Sequence, residues 1–249
     1  MNNLAKVTVL FLCLLMLVSC VICKAAAKKM VACLFAYGPQ PAKPAPIFAL
    51  YDDDTIIFAK RGKGPSARNL GQYGEYFTDT LSKSSVARVL RLMAEVKRLQ
   101  HRYVVRTDGG TNVIWYRSAD GTFATEVWGD LYGSDKSKGP AAFVRAFDEL
   151  SNFHSPHPHP WMADKLILVL AEGGESKQAN AWPVAWPPLD ASRVEIPISE
   201  RDRFFRLLQS SNLFFSKGHY RIVDHYSIEL PGELDMYKSL HELGKADSI

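Results

Sequence analysis

The first strong pattern along the chain is an apolar run close to its N-terminus. Residues 7–18 are apolar except for Thr8, and Lys6 stands directly before them. A basic start followed by an apolar stretch that is short for a bilayer-spanning helix is typical of a signal peptide. The pattern therefore predicts that the chain is exported across a membrane.

Further along the chain, short β-favouring runs stand next to strong turn signals. Runs at 47–51 and 55–59 flank three consecutive aspartates, which predicts a hairpin with an acidic turn. Runs at 111–117 and 122–128 flank an Asp-Gly pair, which predicts a second hairpin. The run at 165–170, which is apolar after Lys165, has the length of a buried strand.

Three segments of the body carry apolar residues at helical spacing. They are residues 84–99, residues 141–153 and a segment that starts with the cap-like sequence at 199–202. Each segment would present one apolar face to a core. Additional strand signals lie at 194–198, 220–223 and 225–230.

This order of elements contains more hairpins than β-helix-β crossovers. We therefore predict an α+β fold, with a mainly antiparallel sheet built from hairpins and about three helices packed on one face. The order of strand, helix and strands is similar before and after 155–163. A single domain over 47–249 and two similar halves that meet near 155–163 are both compatible with this pattern.

Four prolines, at positions 39, 41, 44 and 46, lie between the leader and the first hairpin. Such spacing favours an extended, polyproline-like chain. The sequence therefore predicts a signal peptide or membrane anchor over 1–23, a Pro-rich tether over 24–46 and a folded domain that starts near Ile47.

The end of the apolar run resembles the lipobox of bacterial lipoproteins. In Leu17-Val18-Ser19-Cys20, an aliphatic residue and small residues precede a cysteine. The resemblance implies that Cys20 is acylated and becomes the mature N-terminus. Several acyl chains together would give lasting attachment to the membrane.

Two other outcomes are compatible with the same segment. The apolar character continues to Cys23, so that residues 7–23, with lysines on both flanks, reach the lower length limit for a retained membrane helix. Small residues at 25–27 would also form a cleavage site that releases a soluble protein. The expected location is therefore the cell envelope, with the protein either membrane-anchored or secreted.

The cysteines and the excess positive charge both lie in the N-terminal segment. All four cysteines fall within the first 33 residues, so a domain that starts near Ile47 would contain no thiol for a disulfide, a zinc site or a nucleophile. Residues 1–29 carry four lysines and no acid, which leaves 26 bases and 26 acids in the rest of the chain. A balanced body offers no basic surface for nucleic acid. The expected partners are therefore the membrane and an unidentified envelope component.

Three of the seven histidines, His154, His157 and His159, stand within six residues. Alternate residues of an extended chain point the same way, so this segment is a candidate Zn²⁺ or Cu²⁺ site, with Asp164 nearby. The simpler interpretation is a solvated linker between a helix and a strand. No glutamate stands in the H-E-x-x-H frame that is typical of zinc peptidases.

Trp182 and Trp186 stand four residues apart among three prolines. Two stiffened indoles would form an exposed stacking platform for a sugar or a proline-rich peptide. The alternative is that they fold back over one end of the core, because large aromatic side chains are mostly buried.

Motifs of nucleophilic catalysis are lacking in the sequence, and no cofactor is implied. The G-x-S-x-G elbow is absent, and Asp224 and His225 are neighbours that would point to opposite faces of a strand. These observations favour a non-catalytic binding or structural domain of the cell envelope. The alternative is a secreted hydrolase or metal-dependent enzyme that uses the segment 154–164.

The acidic-turn hairpin at 46–57, together with Thr107-Asp108 and the Trp-Pro segments, resembles uncharacterised exported bacterial proteins. This resemblance implies export, and it implies no particular activity or catalytic residue.

Overall fold

The computed structural model describes residues 28–37, 45–59, 76–107, 109–189 and 191–246. Those residues form thirteen strands in two sheets, together with four α-helices. The predicted α+β class is therefore confirmed. The expected single sheet, with about three helices on one face, is wrong in its details, as the following paragraphs show.

The larger sheet contains the first eight strands. They are β1 (Met30–Tyr37), β2 (Ala45–Tyr51), β3 (Thr55–Ala59), β4 (Tyr76–Thr80), β5 (Arg102–Val104), β6 (Thr111–Ser118), β7 (Gly121–Trp128) and β8 (His159–Trp161). Their order across the sheet is β5-β7-β6-β1-β2-β3-β4-β8. The two predicted hairpins are confirmed as β2–β3 and β6–β7, whose strands pair antiparallel around tight turns.

The smaller sheet contains the remaining five strands. They are β9 (Lys165–Glu172), β10 (Asn180–Ala181), β11 (Arg193–Pro197), β12 (Leu213–Ser216) and β13 (His219–Ile228), in the order β10-β12-β13-β9-β11. The predicted buried strand at 165–170 is β9, which lies between two neighbours. Because β5 pairs parallel with β7 and β10 pairs parallel with β12, both sheets are mixed rather than purely antiparallel.

The four helices are α1 (Lys83–Val96), α2 (Ala141–Ser151), α3 (Arg201–Ser210) and α4 (Glu233–Ala246). Helices α1 and α2 pack on one face of the larger sheet, α4 packs on the opposite face, and α3 covers the smaller sheet. The larger sheet is therefore covered by helices on both faces. A strand of such a sheet needs apolar side chains on both sides, since successive residues point to opposite faces.

Strand β1 is the clearest example of this double burial. Ala32 and Leu34 belong to the core beneath α1 and α2, whereas Cys33 and Phe35 belong to the core beneath α4. All four side chains are at most 1% exposed. β1 pairs with β2 on one side and β6 on the other, so it lies in the middle of the sheet.

The position of β1 corrects two expectations from the sequence. The folded domain begins at least as early as Met30 rather than near Ile47, and Cys33 gives it one buried thiol. Residues 24–46 are therefore not a single tether, because β1 lies within them and the Pro-rich segment joins β1 to β2. Residues 38–44 of that segment, and the predicted leader over 1–23, lie outside the described residues.

The acidic turn between β2 and β3 fastens the start of β1 to the sheet. The backbone of Lys29 donates to the Asp52 carboxylate at 3.1 Å, and Asp52 returns a backbone hydrogen bond to Lys29 at 3.0 Å. Lys28 forms an ion pair with Asp53 at 3.0 Å. Asp54, which has a left-handed backbone (φ 64°), pairs with Lys83 at the start of α1. The three carboxylates therefore have structural contacts, as the sequence predicted for this turn.

The C-terminal helix connects the two sheets. It follows β13 of the smaller sheet, but Met236 is fully buried against the larger one. The indole N–H of Trp115 on β6 donates to Ser239 Oγ at 2.9 Å. The chain changes sheets between β8 and β9, at 162–164, which is close to the division expected near 155–163.

Replacing Met236 with Ala should destabilise the whole domain, because it removes a buried side chain between α4 and the larger sheet. We expect a loss of about 2–5 kcal/mol in the free energy of unfolding, measured by urea titration. Leu234→Ala in the same helix is the control, since Leu234 is 47% exposed and should change stability by roughly 0.5 kcal/mol or less. Equal, small effects from both changes would contradict the packing of α4.

Candidate functional site

The three predicted metal-binding histidines lie on the exposed segment between α2 and β8. His154, His157 and His159 are all exposed, and His159 pairs with Thr78 at the edge of the larger sheet. Among the residues that the structure describes, no group of three or more histidine, cysteine, aspartate or glutamate side chains is arranged to hold a metal ion. The structure therefore does not bring these histidines together as a metal centre.

A carboxylate on β4 organises this segment instead. The Ser155 hydroxyl donates to Asp79 Oδ2, and the backbone N–H of His157 lies 3.4 Å from Ser155 Oγ. The hydrogen bond from Ser155 is the main cause that lowers the pKa of Asp79, and backbone donors of Thr80 and His157 lower it further. Asp79 therefore acts as a charged acceptor that holds the chain against the sheet edge.

The two tryptophans of the Trp-Pro segment are buried. Trp182 is 7% exposed and Trp186 is 5% exposed, and their rings meet edge to face with centroids 4.9 Å apart. The Trp182 indole N–H donates to the Pro187 carbonyl at 2.7 Å, and that of Trp186 donates to Glu200 Oε2 at 2.9 Å. The exposed stacking platform is therefore wrong, and the alternative of a cover over the core is the one observed.

The reason lies in the aromatic side chains of the smaller sheet. Trp182 packs against Phe214 with ring centroids 5.4 Å apart, and Trp186 packs against Phe204 at 6.2 Å. Burying such large rings removes much apolar surface from water, and edge-to-face contacts add to that gain. With both indole donors satisfied inside the protein, neither ring is available to stack on an external ligand.

A buried polar cluster beneath α4 was not foreseen from the sequence. It contains Cys33 on β1, Tyr51 on β2, Tyr76 on β4, and Glu233 and Tyr237 on α4. Cys33 and Glu233 are 0% exposed, Tyr51 is 1% exposed and Tyr76 is 3% exposed. Four segments that are distant in sequence therefore bring a thiol, a carboxyl group and three phenols into one apolar core.

Hydrogen bonds satisfy about half of the polar side-chain atoms in this cluster. Glu233 Oε2 accepts from the backbone N–H of Leu230 at 2.7 Å, so the side chain caps the start of its own helix. The Tyr237 hydroxyl, one turn later, hydrogen-bonds the Glu233 carboxyl. Tyr76 donates to the Pro46 carbonyl at 2.8 Å. The Tyr51 hydroxyl has no hydrogen-bond partner among the described residues.

Burial keeps the titratable hydrogen-bond donors of this cluster neutral. Burial raises the pKa of the Cys33 thiol well above its usual value, and the negative charge of Glu233 raises it further. Burial is likewise the main cause that raises the pKa of the Tyr51, Tyr76 and Tyr237 phenols, with Glu233 as an additional cause. Because the thiolate is the reactive form of cysteine, a protonated, enclosed Cys33 is not a nucleophile.

The spacing of apolar residues after Glu233 was the signal that could have revealed this cluster. Met236, Tyr237 and Leu240 recur at helical intervals after a glutamate that stands three residues beyond Leu230. That pattern predicts a capped amphipathic helix. Cys33, Tyr51 and Tyr76 gave no such signal, because they lie on strands whose local sequence does not point to a shared site.

One open cleft lies at the edge of the larger sheet. It has a volume of about 440 Å³ and lies between β5 and the turn before α2; it is lined by Tyr103, Val104, Val105, Lys138, Gly139 and Pro140. Lys138 is the one charged side chain in this lining, and it forms an ion pair with Asp135 at 3.5 Å. The lining contains no acid, histidine or thiol, so the cleft fits binding better than acid-base chemistry.

The chain was compared with protein-family models, with curated proteins and with solved structures. None of the three comparisons gives a match.

Cys20, the predicted lipidation site, lies outside the described residues. Within the described part of the chain, each helix is too short or too polar to span a bilayer.

Replacing Asp79 with Asn should alter the acid stability of the protein. The pKa of the Asp79 carboxyl group is lower in the folded state than in the unfolded state, where it is near 4. The charged carboxylate therefore stabilises the fold above about pH 4, and this contribution is lost as the pH falls through the folded-state pKa. We expect the variant to lose roughly 1 kcal/mol near neutral pH, and less at low pH, in urea unfolding measured between pH 2 and 7. Asp235→Asn on the exposed side of α4 is the control, and a parallel pH dependence in both variants would refute the role of Asp79.

Cys33 should resist alkylation until the protein unfolds. The expected result is a native protein whose Cys33 peptide stays unmodified by iodoacetamide, whereas the same peptide is modified in concentrated urea, as read by mass spectrometry. An Ala119→Cys variant supplies an exposed thiol for comparison. If Cys33 were alkylated as fast as the introduced cysteine at position 119, the cluster would be open to solvent.

Proposed function

We propose that this protein is an exported, lipid-anchored domain of the cell envelope with a non-catalytic binding or structural role. The observation that carries the proposal is the connection between the leader and the fold. The backbone of Lys29 forms two hydrogen bonds with Asp52, one to its carboxylate and one from its backbone N–H, and β1 starts at the next residue. Processing at Cys20, or after Ala27, would therefore remove the leader and leave every strand intact.

The single thiol of the described residues supports the same proposal. Cys33 is unpaired and fully buried. Exported proteins meet oxidising conditions, in which an exposed free thiol would form unwanted disulfides. A cysteine that is enclosed by α4 and two strands avoids that reaction.

A non-catalytic role is supported by what the carboxylates do. Asp52 and Asp53 hold the start of β1, Asp79 holds the histidine segment, and Glu233 caps α4. These acids are engaged in contacts that stabilise the fold, whereas a general acid or base must reach a substrate. The open cleft beside β5 offers one surface for a ligand or partner.

The mass of the mature N-terminus tests this proposal. We expect the protein, produced with its full leader in a bacterial host, to yield an N-terminal peptide that begins at Cys20 and carries acyl chains. Cys20→Ser should abolish the acylation, and Cys23→Ser is the matched control that should retain it. An unprocessed chain in the cytosol, or a soluble chain that begins at Lys28, would overturn the lipid anchor.

A further inference from the structure

The two ends of the larger sheet differ in what they contain. Met30 pairs with Tyr51, and Ala32 pairs with Tyr116, so the start of β1 lies beside the acidic turn and near the β6–β7 turn at 119–120. We call this the leader end, because the chain comes to the sheet there. Lys28 also lies at this end, where it pairs with Asp53.

The open cleft lies at the opposite end. Thr111 and Val104 both pair with Trp128, the last residue of β7, so β5 finishes at the end of the sheet that is remote from the leader. Val104 is one of the residues that line the cleft. Strand β6 runs from one end to the other over 8 residues, which corresponds to about 26 Å.

The chain between Cys20 and the leader end is short. Eight residue steps separate Cys20 from Lys28, and such a segment spans at most about 29 Å when fully extended. A domain of this size is roughly 45 Å across. An anchor at Cys20 therefore keeps the leader end within about 29 Å of the lipid. An orientation with the cleft end on the lipid would need this segment to be almost fully extended, because the sheet itself is about 26 Å long.

Several charges at the leader end are paired within the protein. Lys28 pairs with Asp53, and Lys97 pairs with Asp120 at 2.8 Å in the β6–β7 turn. Lys83 pairs with Asp54 in the same region. Because positive and negative groups alternate there, the attraction of this surface to anionic lipid is weak, and the covalent attachment determines the orientation.

From this geometry we propose that the leader end of the larger sheet faces the lipid surface and that the cleft end faces away from it, open to partners in the envelope. The proposal rests on the membrane attachment proposed above. It adds which surface is occupied by lipid and which surface is free. Attachment through a retained N-terminal helix would give the same orientation, since that helix also precedes Lys28.

Energy transfer to the membrane tests the orientation. A donor dye is attached either to Ala119→Cys at the leader end or to Ser137→Cys near the cleft, because both positions are exposed. Both variants are made in the full lipidated chain with Cys23→Ser. Since Cys33 is buried, the dye reacts with the introduced cysteine. The protein is reconstituted in vesicles that carry an acceptor on their headgroups. We expect a greater loss of donor fluorescence at position 119 than at position 137, and no change in this difference at high salt.

The orientation alone would be overturned if the mass confirms the lipid on Cys20 but the loss of donor fluorescence is equal at the two positions or greater at position 137. A difference that disappears at high salt would also overturn it, because surface charge would then be the cause. Protein that carries no lipid and does not bind the vesicles would overturn the proposed anchor, and the orientation with it.

Discussion

The burial of β1 on both of its faces is the constraint on which the rest of the structure depends. This strand supplies Ala32 and Leu34 to the core beneath α1 and α2, and Cys33 and Phe35 to the core beneath α4. It also separates the β6–β7 hairpin from the β2–β3 hairpin. Burial of a side chain as large as Leu34 or Phe35 contributes roughly 1.5–3 kcal/mol. The segment that directly follows the predicted leader is therefore the centre of the fold rather than a spacer.

The sequence predicted best those elements that carry a strong turn signal or helical spacing of apolar residues. Both hairpins and the helices near 84–99 and 141–153 were recognised from alternation, turn residues or helical spacing, and all are present. β1 was missed because a strand that is apolar on both sides has no alternation. Its closeness to an apolar leader and to four prolines favoured a tether. The packing of Trp182 and Trp186 depends on aromatic partners from a later helix and strand, Phe204 and Phe214, which local spacing does not reveal.

Local spacing in the sequence was equally unable to predict how the candidate sites are arranged. Histidine spacing suggested a metal centre, but Asp79 and Ser155 fix that segment to the sheet edge and leave the imidazoles exposed. The buried cluster around Glu233 joins residues that are as many as two hundred positions apart, such as Cys33 and Glu233. No sequence motif could have united them. Their enclosure makes them part of the core beneath α4.

Native-state hydrogen exchange of the β1 amides tests this account most directly. If β1 is the central strand, the amides of Cys33 and Leu34 should be among the slowest in the protein and should exchange only through global unfolding. The amides of the exposed segment at 154–158 should exchange much faster under the same conditions. Fast exchange throughout 30–37, comparable with that exposed segment, would show that β1 is an extended tether and would contradict the central claim.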